Sequence, residues 1–179
     1  MSQIQVLDRT FEVYLDAETI QQRVREMAQQ ISTDYAGSRP LFLSILNGSF
    51  LFTADLIRSL TIEPEISFIK LASYQGMRST GSITTAIGLE ADLAGRDVIL
   101  LEDIVDTGNT LAKFLPHLQQ QQPRSVRIAT LLHKAEATQY ALPLDYVGFV
   151  IPNKFVVGYG LDYDGWGRQH NAIYQLATT

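Results

Sequence analysis

Two short runs that are apolar at all but one position and show no polar alternation, LFLSIL (41–46) and DVILL (97–101), constrain this chain more than any other feature. A strand with one wet face alternates apolar and polar residues, whereas an unbroken run marks a strand covered on both faces. Such cover needs helices above and below the sheet, and the sequence supplies them at the right places. SFLFTADLIRSL (49–60) follows the first run through a Gly-Ser turn and reads as a helix; TLAKFLPHLQQQ (110–121) follows the second and reads the same way, ending before Pro123. EISFIKLAS (65–73) is a further strand, YQGMRSTGS (74–82) a polar, Gly-rich loop, and ITTAIG (83–88) is extended again. SVRIATLL (125–132) and DYVGFVI (145–151) complete the series. Upstream, a helix is predicted from Asp16 to about Ala36, with Asp16 as N-cap, Ile20, Val24, Met27, Ile31 and Tyr35 on one face and Gly37 as the stop. Strand and helix alternating at this spacing imply right-handed βαβ crossovers, so the predicted fold is α/β, doubly wound around a largely parallel sheet.

Length and composition narrow the functions such a fold can serve. A chain of 179 residues is one domain long, and no repeat, linker or charge run marks an internal boundary. At this size roughly 70% of the chain's surface is buried on folding, enough for a core without staples. Hydrophobic residues make up 46% and charged residues 18%, which excludes a disordered chain. Lys plus Arg number 14 against 19 Asp plus Glu, a net charge of −5 that is poorly suited to gripping nucleic acid through its phosphates. There are no cysteines, which removes disulfides, thiolate catalysis and Cys-ligated zinc. The opening MSQIQVLDRTFEVYLDAE has neither a basic nor an apolar leader region, and no apolar run approaches a membrane span; a cytoplasmic protein is expected.

The segment VILLEDIVDTGNTL (98–111) carries the chemistry. A buried strand is predicted to end in two adjacent acids, Glu102 and Asp103, and a loop with Asp106, Thr107, Gly108, Asn109 and Thr110 then opens a helix. In open α/β sheets, ligands sit outside the carboxyl ends of the strands. Backbone N–H groups, two hydroxyls and a helix N-terminus make Thr107–Thr110 a cradle for a phosphate monoester. The two acids repel phosphate, so they must serve another part of the ligand, such as sugar hydroxyls or a bound Mg²⁺.

LLEDIVDTGNTL resembles the phosphoribosyl pyrophosphate (PRPP) signature of type I phosphoribosyltransferases, and the wider sequence, from about residue 5 to residue 175, resembles the hypoxanthine-guanine branch of that family. LNGSF (46–50) is similar to its pyrophosphate loop and SYQGMRSTG (73–81) to its flexible lid, which begins with Ser73 and Tyr74. LLHKAE (131–136) holds its purine-reading lysine, and YVGFVIPNKFVVGYGLDYD (146–164) is similar to its purine and metal segment. The resemblance implies one domain, 1–179, with a small hood from about residues 1–15 and 152–179. The implied reaction passes the 5-phosphoribosyl group of PRPP to N9 of hypoxanthine or guanine, yielding IMP or GMP and pyrophosphate, with Mg²⁺. The implied assembly is a homodimer or homotetramer.

Carried over residue by residue, Glu102 and Asp103 would hold the ribose hydroxyls directly or through Mg²⁺, and Asp106 would face purine N7 as general base. Thr107, Gly108, Asn109 and Thr110 would bind the 5′-phosphate. Asn47, Gly48, Ser49 and Arg168 would hold pyrophosphate. Lys134 would donate to the 6-oxo oxygen, Phe155 would stack on the base, and the Val156 backbone would read its N1 and 2-position edge. Asp162 would ligate a second Mg²⁺. Better-known members carry Lys where this chain has Asn47, and their loop holds a non-proline cis peptide. The substitution removes a positive charge from the pyrophosphate site and keeps the backbone donor.

Taken singly, each residue has a plainer reading. Phe155 fits a core, Lys134 before an Ala-rich, helix-like stretch fits a solvated cation, Arg168 a surface ion pair and Asp162 a turn. His117, His133 and His170 have no metal-like spacing. The ordered set of four motifs is what favours the site. Three other readings compete: a PRPP-sensing regulator of nucleotide operons, disfavoured by the acidic balance and the lack of a Lys/Arg cluster; a xanthine-preferring transferase, which changes near Val156 and Asp162 would decide; and an adenine or orotate transferase, disfavoured by Lys134 together with KFVVGYGLDYD.

Overall fold

The computed structural model describes residues 3–73, 83–89 and 91–177. Its strands and helices run β1 (Gln3–Val6), β2 (Arg9–Leu15), α1 (Ala17–Asp34), β3 (Leu41–Leu46), α2 (Phe50–Ser59), β4 (Glu65–Ser73), β5 (Ile83–Ile87), β6 (Asp97–Val105), α3 (Asn109–Gln120), β7 (Ser125–His133), β8 (Leu144–Val150), β9 (Val156–Val157) and β10 (Ile173–Leu176). The larger sheet has the order β5-β4-β3-β6-β7-β8. Strands β4, β3, β6, β7 and β8 are parallel, and β5 pairs antiparallel with β4 at the edge.

The doubly wound prediction follows from which side chains each face buries. Ile20, Val24, Met27 and Ile31 of α1 pack with Phe52 and Leu56 of α2 against Phe42, Ile99 and Leu101. Leu111, Phe114 and Leu118 of α3 cover the opposite face with Leu41, Leu43, Val98 and Leu100. Both apolar runs are thus covered on their two faces. From β3 the chain winds one way to β4, and from β6 the other way to β7, so strand order reverses between β3 and β6. Ligands of such sheets bind in the crevice at that reversal, outside the carboxyl ends of the strands.

Several element ends differ from expectation. Helix α1 stops at Asp34 with Tyr35 as its cap, two residues short of the predicted end. Strand β6 runs on to Val105, so Glu102 and Asp103 lie inside it; an equally long β7 supplies partners as far as the Val105–His133 pair. The Ala-rich stretch after Lys134 is a turn and carries no helix. A second, antiparallel sheet, β1-β2-β10-β9, draws its strands from both ends of the chain around Val6, Phe11, Val157, Ala172 and Tyr174. These short strands are not evident in the local pattern.

Candidate active site

The site is assembled where the β3 and β6 loops meet. Leu101 packs toward α1 and α2, and Leu100 packs toward α3. Successive side chains of a strand point to opposite faces, so the adjacent Glu102 and Asp103 diverge. Glu102 lines a cavity of about 90 Å³ together with Asp106, Thr107, Gly108, Asn109, Thr110 and Leu111. Its Oε2 is shut off from solvent and has no hydrogen-bond partner among the described residues. Burial, reinforced by the charge of Asp103, pushes the Glu102 carboxyl well above the usual range. Asp103 instead packs against Gly48, so closely that a Cβ on that glycine would collide with its carboxylate. Burial raises the Asp103 carboxyl to about 6, against the opposing pull of the Ile104 amide, 3.0 Å away, and of the Arg168 charge.

The loop predicted to cradle a phosphate opens α3. Gly108 is the N-cap of α3 in a left-handed conformation (φ 79°), and its carbonyl accepts from the Ala112 amide at 2.9 Å. The Asn109 amide donates to Thr107 Oγ1 at 3.3 Å, and the hydroxyl-bearing Thr107 and Thr110 are exposed. The remaining first-turn N–H groups of α3 face the anion-binding end of the helix.

Lys134 is not a solvated cation. Its side chain is 8% exposed, and its Nζ lies 2.8 Å from Asp106 Oδ2, while Asp106 itself is half exposed at 48%. A cation and a carboxylate separated by 28 residues in sequence thus stand side by side next to the Thr107–Thr110 loop.

The third group lies at Gly48. The Leu46–Asn47 peptide is cis. The Ser49 hydroxyl is buried and bonded to Ser44 Oγ at 2.6 Å, so only its backbone is left for a ligand; the Gly48 and Ser49 amides donate to no described residue. Arg168 donates to the Gly160 carbonyl at 2.6 Å and pairs with Asp162 Oδ1 at 2.7 Å; the other Asp162 oxygen accepts from the Gly165 amide at 2.6 Å. Arg168 is therefore a half-buried member of the site, and Asp162 is engaged on both oxygens.

Residues 11–164 match the phosphoribosyl transferase domain. The chain belongs to the phosphoribosyl transferase family. Among its relatives, the hypoxanthine phosphoribosyltransferase of Buchnera aphidicola is 40% identical over 160 residues, covering 88% of this chain and 90% of that one. The hypoxanthine-guanine phosphoribosyltransferase of Mycobacterium bovis is 41% identical over 159 residues, covering 85% and 79%. A crystal structure of a hypoxanthine-guanine phosphoribosyltransferase from Bacillus anthracis superposes with a TM-score of 0.87 at 35% identity, covering 93% of this chain and 98% of that one.

Within this phosphoribosyl transferase, the predicted residues fall into two clusters and an outlier. Glu102, Asp106–Thr110 and Lys134 form one; Asp103, Gly48, Asp162 and Arg168 form the other. The two adjacent acids therefore fall in different clusters, as successive positions on a strand point to opposite faces. Phe155 stands apart: 47% exposed, it meets Tyr163 edge-on at 5.7 Å and tilts on Phe11 at 6.1 Å. Val156 buries its side chain in the main core, while β9 is the outer strand of the small sheet, so its backbone is what can meet a ligand. Ser73 ends β4, and Tyr74 lies outside the described residues.

Residues 138–142 form a buttress that the motifs did not reveal. Thr138 Oγ1 lies 2.9 Å from the Asp106 carbonyl, the Gln139 amide donates to the Thr107 carbonyl at 3.0 Å, and the Tyr140 hydroxyl to Asn109 Oδ1 at 3.2 Å. Leu142 fills the space beside Gly108. Only the closeness of this segment to Lys134 in sequence hinted at such a role.

Proposed function

We propose that this protein transfers the 5-phosphoribosyl group of PRPP to N9 of hypoxanthine or guanine, releasing pyrophosphate and yielding IMP or GMP. The observation that carries the reading is the Lys134–Asp106 pair beside the phosphate cradle. A 6-oxopurine presents its O6 and N7 side by side on one edge. Lys134 would donate to O6 and Asp106 would take the proton leaving N7 as N9 bonds to the anomeric carbon and the carbon–oxygen bond to pyrophosphate breaks. Adenine presents an amino group where O6 would be, and a buried ammonium facing it has no acceptor, a mismatch of the kind worth roughly 10⁴–10⁵ in selectivity. The names borne by the relatives support the same substrates.

The positive charge of the oxocarbenium-like transition state lies on the sugar, beside Glu102 and Asp103, and the growing negative charge lies on pyrophosphate, near Arg168 and the Gly48 and Ser49 amides. The donor set fits Mg²⁺, which takes one or two carboxylates together with substrate oxygens and waters. The unpartnered, buried Glu102 oxygen and the Asp103 carboxylate are two such donors, and Asp162 is the candidate for a second ion. Bound there, Mg²⁺ would neutralise charge on the leaving pyrophosphate. Phe155 would stack on the base, the Val156 backbone would read its far edge, Asn47 would contact pyrophosphate, and the segment opened by Ser73 and Tyr74 would close the site to water. The working form is one domain, residues 1–179, hooded by residues 1–15 and 152–179, as a homodimer or homotetramer in the cytoplasm. Among the described residues no helix is long and apolar enough to cross a membrane.

The test is an absorbance assay with PRPP, Mg²⁺ and each of hypoxanthine, guanine, xanthine and adenine, run beside Asp106→Asn. Turnover of the first two, none with adenine, and a loss on the order of 10²–10⁴ in the variant are expected. Saturable PRPP binding without turnover of any base would overturn the enzyme reading in favour of a regulator.

A further inference from the structure

The hairpin that carries Asp162 and Arg168 enters the site through three successive residues of left-handed backbone, Gly158 (φ 95°), Tyr159 (φ 50°) and Gly160 (φ 99°). A Cβ on Gly160 would collide with the Gly48 carbonyl oxygen, so the hairpin lies directly on the pyrophosphate loop. Tyrosine adopts this conformation only at a cost. Its side chain explains why it is there. The ring is buried, 2% exposed, and the hydroxyl donates to Asp55 Oδ2 at 2.7 Å. Gln21 of α1 donates to the same carboxylate oxygen, and its amide nitrogen stands 3.5 Å from the phenol oxygen. Asp55 belongs to α2, the helix that begins immediately after Gly48 and Ser49.

Two elements that would grip pyrophosphate, in contact at Gly160 and Gly48, are thus joined a second time by the Tyr159–Asp55 hydrogen bond. The Gly48 loop is the entrance to α2, Arg168 is held to the Gly160 carbonyl, and the Tyr159–Asp55 bond closes the circuit. We infer that Tyr159 is a positioning residue for the PRPP reaction, its hydrogen bond to Asp55 setting the height of the Asp162–Arg168 hairpin over the Gly48 loop. This inference rests on the PRPP reading of the site. It differs from a simple packing role, because the ring alone fills the core and would do so equally well without its hydroxyl.

Tyr159→Phe removes the hydroxyl and keeps the ring. The expected result is a rise of about tenfold in the PRPP Kd, measured by calorimetry with Mg²⁺, and in the PRPP KM, the scale of one hydrogen bond to a charged group. The KM for hypoxanthine should be unchanged. Asp55→Asn retains an acceptor and should behave like the parent; Asp55→Ala should match Tyr159→Phe, and the Asp55→Ala/Tyr159→Phe double variant should be no worse than either. Unchanged PRPP affinity in Tyr159→Phe, or an equal rise in both KM values, would overturn the inference whatever happens to the melting temperature. Parent turnover tests the proposed function and the variant-to-parent ratio of PRPP Kd tests Tyr159, so the two fail separately.

Discussion

Glu102 shows how a single residue proposed to bind substrate can stand at odds with stability. A carboxylate oxygen that is shut off from water, has no described partner and sits beside a second acid is costly to the free protein. Glu102→Gln removes the charge in nearly the same shape. It should stabilise the ligand-free protein by about 1 kcal/mol, or roughly 2–4 °C in melting temperature for a chain of this size. Phosphoribosyl transfer should fall at the same time. Calorimetric melts without PRPP or Mg²⁺ check the first effect, and a fall in melting temperature would show that the acid is a structural asset. Lys134 and Asp106 were identified by the motifs they belong to, but neither motif says that they touch. That contact depends on β6 and β7 being neighbours and equal in length, which a one-dimensional pattern does not express.

At the scale of elements, the proposed phosphate cradle depends on how α3 begins. Gly108 caps the helix at φ 79°, where an L-residue pays roughly 1–2 kcal/mol, and a methyl group there would press on Leu142. Gly108→Ala should therefore lower the melting temperature by about 2–8 °C and weaken PRPP binding together, because the same turn sets the helix entry and aims its N–H groups. A variant that melts lower but binds PRPP normally would separate the two roles. The helices and main strands were legible because burial on one or both faces leaves a period in the sequence. The turn after Lys134 was not, since Thr138, Gln139 and Tyr140 act through single hydrogen bonds to residues about 31 or 32 positions away.

Over the whole molecule, stability and function occupy opposite ends of the larger sheet. The acids, cradle and Gly48 loop lie at the carboxyl ends of the strands, whereas ion pairs cluster at the starts, where Arg96 meets Glu65, Arg124 meets Asp97 and Arg127 meets Asp34. Asp97, the first residue of β6, accepts from Arg124 Nε at 2.9 Å and from Ser125 Oγ at 2.7 Å. Arg124, followed by Ser125, holds its carboxyl below the usual 3.8. A carboxyl depressed in the folded state stabilises above its unfolded value, and that stability is lost as pH falls through the lower, folded one. Asp97→Asn should thus cost about 1 kcal/mol near neutral pH, a figure kept small because Arg124 is largely exposed, and the cost should shrink once pH drops below 3.8. Urea unfolding of variant and parent from about pH 7 to pH 3 measures it; a cost independent of pH would show that packing, not charge, is at stake.

The sequence by itself determined the doubly wound sheet, because unbroken apolar strands between amphipathic helices can be buried in few other ways, and it determined the order of the four motifs along the chain. Only the tertiary structure decided the pairing of Lys134 with Asp106 and the seating of Gly160 on Gly48. Each of these depends on which strands and loops are neighbours, and that follows from the packing of the whole sheet, not from any local run of residues.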